Sequence, residues 1–381
     1  MTDNGSSAPT GSGPSQPRRR RRANRPSDGP STIRDVAVQA GVSVATVSRA
    51  LAGNYPVSQA TRARVMAAVE SLHYVVNVHA KALSGGVAGP IAMVLQDITG
   101  PSLAHVAAGV EQEAAARGRL SLVCVTHNDR DREDALVQLM REQHAAAVVL
   151  VGGAVMDDAY HERMAEYARV LDAAGSRLVL CGRPPLTSSL PVTVVDYDNR
   201  GGAFQAMDHI LGMGHRRVLF LGGNPLMSSA EQRRTGYRQA LRAHGVPYAE
   251  ELDVSGLYTR ASGYQRTRAA LQEGPDFTAI FAGTDMVAVG ALAALREAGL
   301  TVPGDVSLVG FDDVPFATDL TPALTTIRVP YEELGRTAVR LALERDPSLA
   351  DDHVVLSTQL VIRQSVRPPG AHHGDQARRS S

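Results

Sequence analysis

Few folds accommodate the run from Thr32 to Arg49, TIRDVAVQAGVSVATVSR. Ile33, Val36, Ala37 and Ala40 recur at i, i+3, i+4 and i+7, the apolar face of a short helix. Thr32 stands where an N-cap belongs, and Asp35 three residues on makes a near capping box. Gly41 ends that helix, because glycine takes the left-handed C′ conformation cheaply. Ser43 then caps a second helix whose inward side is expected to be Val44, Val47 and Leu51. Two short helices joined by a glycine-containing turn form a helix-turn-helix. In that motif the second helix enters the major groove of DNA, so Val44, Ala45 and Arg49 would face bases. The competing reading is a helical hairpin inside an ordinary core.

A third helix follows. Val57-Ser58 caps it, it runs from Thr61 to His73, and Val65, Ala68, Val69 and Leu72 lie on its buried side. The next segment reads HYVVNVHAKALSGG, from His73 to Gly86. Together these stretches resemble the headpiece and hinge of the LacI/GalR family of bacterial transcription regulators. The resemblance rests on Thr32, Ile33, Asp35, Val36, Ala37, Ala40, Gly41, Val42, Ser43, Thr46, Val47, Ser48 and Arg49, and in the hinge on Tyr74, Asn77, Ala80 and Leu83. Val76 replaces the usual proline, Lys81 the usual arginine, and Ala52 an asparagine that touches phosphate in many relatives. The resemblance implies base contacts from Val44, Ala45, Arg49, Lys81 and Leu83, with Leu83 wedging into the minor groove and kinking the duplex. Thr32, Ser43, Thr46, Ser48, Ser58, Thr61 and Asn77 would hold phosphates and set register without reading sequence.

Charge points the same way. The whole chain has 39 basic and 39 acidic residues, yet residues 1–86 carry 11 Lys and Arg against 4 Asp and Glu, leaving 28 against 35 in the rest. A basic end on an acidic body is the electrostatic footprint of a tethered nucleic-acid binder. Residues 1–31, Gly/Ser/Pro-rich and then basic at Arg18–Arg22, bury too little apolar surface to fold and are expected to form a disordered basic arm. The arm carries no apolar stretch like that of a secretory signal, no membrane span is long enough to recognise, and a cytoplasmic location is expected. Cys124 and Cys181 provide neither a disulfide framework nor a metal spacing.

From Pro90 onward short apolar runs alternate with amphipathic segments. Strands are expected at 91–95, 120–125, 147–151, 177–180, 192–196, 217–221, 279–282 and 306–311. Helices are expected at 102–117, 132–143, 202–213, 230–244, 262–272, 286–298 and 331–344. That alternation specifies parallel sheets covered on both faces, and its length suits two Rossmann-like lobes with a ligand site between them. The family resemblance extends through DYDNRGG (196–202), LGMGHRRV (211–218), GFDD (310–313) and PALTTIR (322–328), the last crossing back between lobes. It implies a periplasmic-binding-protein-like α/β body beneath an all-α helix-turn-helix headpiece. The expected divisions are 32–76 for the headpiece, 77–89 for a hinge helix and linker, 90–366 for a two-lobed effector-binding and dimerisation domain, and 367–381 for a disordered tail.

Within the body, the resemblance carries an effector-contacting arginine onto Arg233 and an acidic partner onto Asp312. Such a pair could grip a polyol through charged, directional hydrogen bonds, or could instead be a structural pair closing the lobes. Tyr258 and Tyr331 fall where a ring could stack on a sugar or fill the core. Thr284, Gly182 and Val329 depart from polar residues used by relatives, and Asp285 is expected to be the N-cap of the helix from Met286. No nucleotide loop, nucleophile elbow or HExxH motif is present, and no cofactor is expected, so an enzyme is not. The expected protein is a homodimeric transcriptional regulator, with repression the expected effect although the sequence does not fix its sign. It would bind double-stranded DNA at a near-palindromic operator under control of a small molecule, a sugar or related polyol. A transport binding protein would lack residues 32–86, and a nucleoid-type DNA binder would not need the body.

Overall fold

The computed structural model describes residues 31–52, 56–74, 89–186, 190–274, 276–344 and 353–370. Lys81, Leu83 and Asn77 lie outside them, as do residues 1–30 of the expected arm and 77–88 of the expected hinge. The chain divides into two units, residues 1–87 and 88–381.

The first unit packs three helices, α1 (Ile33–Ala40), α2 (Val44–Ala52) and α3 (Gln59–Ser71). The capping box forms in full: Asp35 N–H donates to Thr32 Oγ1, and Thr32 N–H donates to the Asp35 carboxylate at 2.9 Å. Gly41 takes φ 64°, which an L side chain adopts only at a cost, and it ends α1. The core joins Val36, Ala37, Ala40, Val47, Ala50, Val65 and Ala68. One expectation fails here. Val44 is 41% exposed, and Ala50 takes the inward place assigned to it. Val44 is the first residue of α2, and helical side chains lean toward the N-terminus, so it projects beyond the packed turn.

The second unit contains two parallel sheets. In the first lobe β1 (Ile91–Leu95), α4 (Pro101–Ala116), β2 (Ser121–Val125), α5 (Arg130–Glu142), β3 (Ala147–Val151), α6 (Asp158–Ala173), β4 (Arg177–Cys181) and β5 (Val192–Tyr197) follow in order. The second lobe continues with α7 (Asn199–Gly212), β6 (Val218–Leu221), α8 (Ser228–Ala243), β7 (Asp253–Val254), α9 (Arg260–Gln272), β8 (Ala279–Ala282), α10 (Asp285–Glu297) and β9 (Ser307–Val309). Then come α11 (Phe316–Asp319), β10 (Thr326–Arg328), α12 (Tyr331–Leu343), β11 (His353–Leu356) and β12 (Gln359–Val361). The strand orders are β11-β5-β4-β3-β1-β2 and β7-β6-β8-β9.

Central strands such as IAMVL and AVVLV are apolar throughout because helices cover both faces. In the first lobe Val106, Val110 and Leu334 pack on one face, Val137, Met140, Tyr160 and Met164 on the other. Gly109 and Gly335 let α4 and α12 touch: a Cβ on either would lie within 2.3 Å of the facing backbone carbonyl oxygen.

The chain passes between lobes three times, after β5, between β9 and α12, and between β11 and β12. β10 pairs antiparallel with β12 at this crossing. The expected strands are found with ends shifted by a residue or two, except that 306–311 shortens to β9. Gly310 and Asp312 donate instead to Thr325 and Ile327 carbonyls of the crossing segment. The pattern did not mark α6, β7 or the crossing strands. Arg367, placed in the expected tail, is held to the second lobe: its carbonyl accepts from His215 Nε2 at 2.9 Å and from the Ser307 hydroxyl at 3.0 Å.

Candidate nucleic-acid interface and ligand cleft

In the first unit Val44, Ala45 and Arg49 are all exposed on α2. Arg49 forms no ion pair or hydrogen bond among the described residues, which leaves its guanidinium fork unengaged. The polar candidates are organised around helix starts. Ser43 Oγ accepts from Thr46 N–H at 3.1 Å and contacts its hydroxyl at 2.8 Å. Ser58 Oγ accepts from Thr61 N–H at 3.2 Å and donates to its hydroxyl at 2.8 Å. Thr32 caps α1, so three helix N-termini carry hydroxyls whose remaining lone pairs and neighbouring N–H groups suit phosphate. Ser48 is half-buried on α2. These caps were found in the sequence by spacing alone.

The second unit encloses a cleft of about 590 Å³ between its lobes, lined by Ser102, Tyr197, Arg233, Tyr258, Thr284, Asp312 and Tyr331 among others. All five expected effector residues line it. Arg233, on α8, is 3% exposed. Its Nε donates to Asn199 Oδ1 at 2.9 Å, one terminal nitrogen donates to the Gly283 carbonyl, and the other donates to the Tyr197 hydroxyl at 3.2 Å. The guanidinium carbon lies 3.8 Å from the Phe311 ring centroid. Burial opposes its charge, but the fields of Tyr197 and Asp312 outweigh this and hold its pKa above the ordinary value.

Asp312 follows β9 with φ 121°, a backbone conformation costly for a non-glycine residue. Its Oδ1 lies 3.5 Å from Arg233 and accepts the Tyr331 hydroxyl at 2.7 Å, while Oδ2 accepts the Ser102 hydroxyl at 3.1 Å. Burial raises its pKa despite Arg233. Both partners of the ion pair belong to the second lobe, so they do not bridge the lobes directly. The bridging falls to Ser102 and Tyr331 on Asp312 and to Tyr197 on Arg233.

The tyrosines differ from one another. Tyr331 is committed to Asp312 and meets the Tyr197 ring edge-on at 5.7 Å. Tyr258 packs against Gly223 and Gly283, and its buried hydroxyl makes no hydrogen bond of good geometry among the described residues. Thr284 caps α10 by accepting from Val287 N–H at 3.2 Å. That corrects the assignment of Asp285, which is the first residue of the helix rather than its cap. The Asp285 carboxylate instead accepts from Val314 N–H at 3.0 Å and from the Thr326 hydroxyl at 2.6 Å. Val329 is buried outside the cleft, whereas Gly182 lines it. Ser102, Tyr197 and Asn199 were not singled out from sequence. Tyr197 and Asn199 lay in a recognised phrase, but nothing local marks Ser102.

The rim also joins the lobes. Val155 bridges Met227, Ala154 N–H donates to Ser228 Oγ at 3.2 Å, and Ser228 N–H donates to the Ala154 carbonyl at 2.9 Å. No described helix is long and apolar enough to cross a membrane.

Residues 32–77 match the family model for bacterial regulatory proteins of the lacI family, and residues 207–366 match the periplasmic binding protein-like domain. The chain is 35% identical to the HTH-type transcriptional regulator GalR of Escherichia coli, over 90% of this chain and 98% of that protein. It is 32% identical to the regulator DegA of Bacillus subtilis, over 89% of this chain and 98% of that one. Among solved structures, a lac repressor dimer bound to operator and the anti-inducer ONPF superposes with TM-score 0.77 at 26% identity, covering 89% of this chain and 100% of that one. A complex of the regulator CelR with cellobiose superposes with TM-score 0.64 at 32% identity, covering 88% and 100%. With these likenesses running through both headpiece and body, the chain belongs to the lacI family of bacterial transcriptional regulators.

Proposed function

We propose that this regulator acts as a homodimer on a near-palindromic operator, and that a small polyhydroxylated molecule of the sugar class, bound between the lobes, sets its affinity for DNA. The observation that carries the ligand half is the Arg233–Asp312 pair. It is a buried donor fork beside a buried acceptor, opening onto a cleft walled by Leu103, Met227, Met286 and tyrosine rings. A sugar offers hydroxyls for the first and apolar ring faces for the second. The two-lobed construction supplies the coupling, since a ligand preferring one lobe arrangement shifts that population. A related regulator was solved with cellobiose and another with operator DNA, which supports both halves.

One helix-turn-helix covers a half-site, so a dimer reading two half-sites is the expected geometry. The unengaged Arg49 is the base reader, suited to the O6 and N7 of guanine, with Val44 and Ala45 against thymine methyls. Repression is the expected outcome of occupancy.

The test is calorimetric titration of the full chain with sugars, polyols and nucleosides, followed by operator binding with each hit. Binding that is lost in Asp312→Ala and that changes operator affinity supports the reading. A ligand that binds equally well to Asp312→Ala would move the site elsewhere, and no ligand effect on operator affinity would remove the allosteric role.

A further inference from the structure

Beside the main cleft the first lobe holds a second cavity of about 260 Å³, reached past Gln96, Asn128, Gly153 and Met227, which line both spaces. On the same measure a single water molecule needs only about 10–15 Å³. Its charged and phenolic walls come from the start of α5, from α6 and from the segment after β4, while the segments after β1, β2 and β3 and Met227, just ahead of α8, complete it. Its chemistry is lopsided toward donors. Tyr160 is 1% exposed, and its hydroxyl, with the Arg183 guanidinium nearby, has no acceptor for its proton among the described residues. Arg163 Nε is buried without a hydrogen bond, standing 3.6 Å from the Glu133 carboxylate. Arg183 is 3% exposed and approaches the other Glu133 oxygen only to 3.5 Å, while its Nε donates to the Gly152 carbonyl at 3.0 Å.

The facing charges are Arg130, Arg163 and Arg183 against Asp129 and Glu133. Asp129 is occupied capping α5, where it accepts from Arg132 N–H at 3.2 Å. Glu133 therefore faces two guanidinium groups at distances too long for good hydrogen bonds. Buried donors without acceptors are rare in folded proteins, because each forfeits its hydration without return. Two of them in one cavity, with guanidinium groups beside them, describe a place for an acceptor.

We propose that this cavity is an oxyanion pocket, and that the effector is a sugar derivative carrying a carboxylate or phosphoryl group which Tyr160, Arg163 and Arg183 receive. The proposal rests on the effector reading of the main cleft and specifies it: the neutral part of the ligand meets Arg233 and Asp312, and the anionic end reaches past Gly153. A second neutral sugar ring fits less well, since each hydroxyl would bring a donor into a space already rich in them. An oxyanion brings only acceptors.

The experiment uses the full chain, its Tyr160→Phe and Arg163→Gln variants, and Asp312→Asn as a control on the main cleft. Inorganic phosphate, D-glucose, D-glucuronate and D-glucose 6-phosphate serve as probes in thermal-shift and calorimetric titrations. Tyr160→Phe removes a hydroxyl whose proton has no acceptor among the described residues, so the unliganded melting temperature should stay close to that of the wild type. Phosphate should stabilise the wild type and Asp312→Asn, with binding at least about tenfold weaker in Tyr160→Phe and Arg163→Gln. Glucuronate against glucose 6-phosphate separates the carboxylate from the phosphoryl source. No phosphate response in the wild type, or one that survives unchanged in both pocket variants and so belongs to the basic arm, would overturn the proposal. If phosphate binds in the pocket but no sugar derivative gains from Asp312, the pocket stands and the effector reading of the cleft fails.

Discussion

Asp312 accepts the Tyr331 hydroxyl at 2.7 Å across the crossing between lobes, and the same oxygen lies 3.5 Å from the Arg233 guanidinium. One carboxylate oxygen thus ties a second-lobe loop to the start of a first-lobe helix while serving as counter-ion to a buried arginine. Asp312→Asn can keep the Tyr331 hydrogen bond but removes the charge, leaving Arg233 uncompensated. Breaking a buried pair in this way costs about 3–5 kcal/mol. Urea unfolding of the variant should show a loss of that order, and calorimetry should show ligand binding abolished. A variant as stable as the wild type would mean that Arg233 draws its compensation from Asn199, Tyr197 and the Gly283 carbonyl.

A second carboxylate gives a pH signature. Burial, then the nearby charge of Asp312, raises the Asp285 pKa well above its ordinary 3.8. The folded state therefore holds this proton more tightly than the unfolded chain. Stability linked to Asp285 is greatest at low pH and is lost as pH rises from about 3.8 through the folded pKa. Asp285→Asn cannot ionise, and its amide can still accept from Val314 while donating to Thr326. Its stability relative to wild type should therefore increase with pH, as measured by urea midpoints at intervals from pH 4 upward. A constant difference across that range would show that Asp285 ionises normally.

The headpiece was legible because its signals are local. Thr32 with Asp35, Gly41, and Ser43 with Thr46 fix helix ends within a few residues of themselves. Val44 was misplaced because apolar character alone does not say whether a first-turn side chain has a neighbouring helix above it. Strands of the body were legible as apolar runs, but β10, β11 and β12 are short and owe their existence to partners far away in sequence, β11 to β5 and the crossing strands β10 and β12 to each other. The site divided the same way. Arg233 and Asp312 stood in recognisable phrases, whereas Ser102 meets Asp312 across 210 residues, a proximity created only by the crossing. The donors of the second cavity were hidden for a different reason, since an unpartnered hydroxyl is a property of packing and leaves no trace in residue order.

Arg49 separates reading from folding. It is exposed on α2 and takes no part in the headpiece core, so Arg49→Ala should leave the headpiece's thermal stability unchanged. A bidentate contact to guanine carries about 1–3 kcal/mol of discrimination. Operator affinity should fall by that amount, with preference relaxed at one base pair of each half-site. Equal discrimination at every position would exclude Arg49 as a reader.

Ser43 caps α2 and, on the proposed reading, also holds a phosphate, so its loss should read differently. Removing an N-cap hydroxyl costs about 1 kcal/mol of stability, and Ser43→Ala should lower the headpiece melting temperature accordingly. The same variant should weaken specific and non-specific DNA binding alike, because a phosphate contact carries no sequence information. A selective loss at the operator would instead place Ser43 against a base.

Gly182 tests how tightly the cleft floor is built. It has φ 73°, and a Cβ there would lie 3.4 Å from the edge of the Tyr197 ring, whose hydroxyl accepts from Arg233 at 3.2 Å. Gly182→Ala should therefore carry two penalties. The left-handed backbone costs an L residue about 1–2 kcal/mol, and the methyl, in ordinary contact with the Tyr197 ring, takes up space in the cleft that Gly182 lines. Gly118 provides the comparison, with φ 66° and open space where its Cβ would stand. Gly118→Ala should lose stability alone, with ligand affinity intact. Gly182→Ala should lose stability and bind its ligand more weakly. Equal ligand affinity in the two variants would show that the ligand does not approach the cleft wall at Gly182.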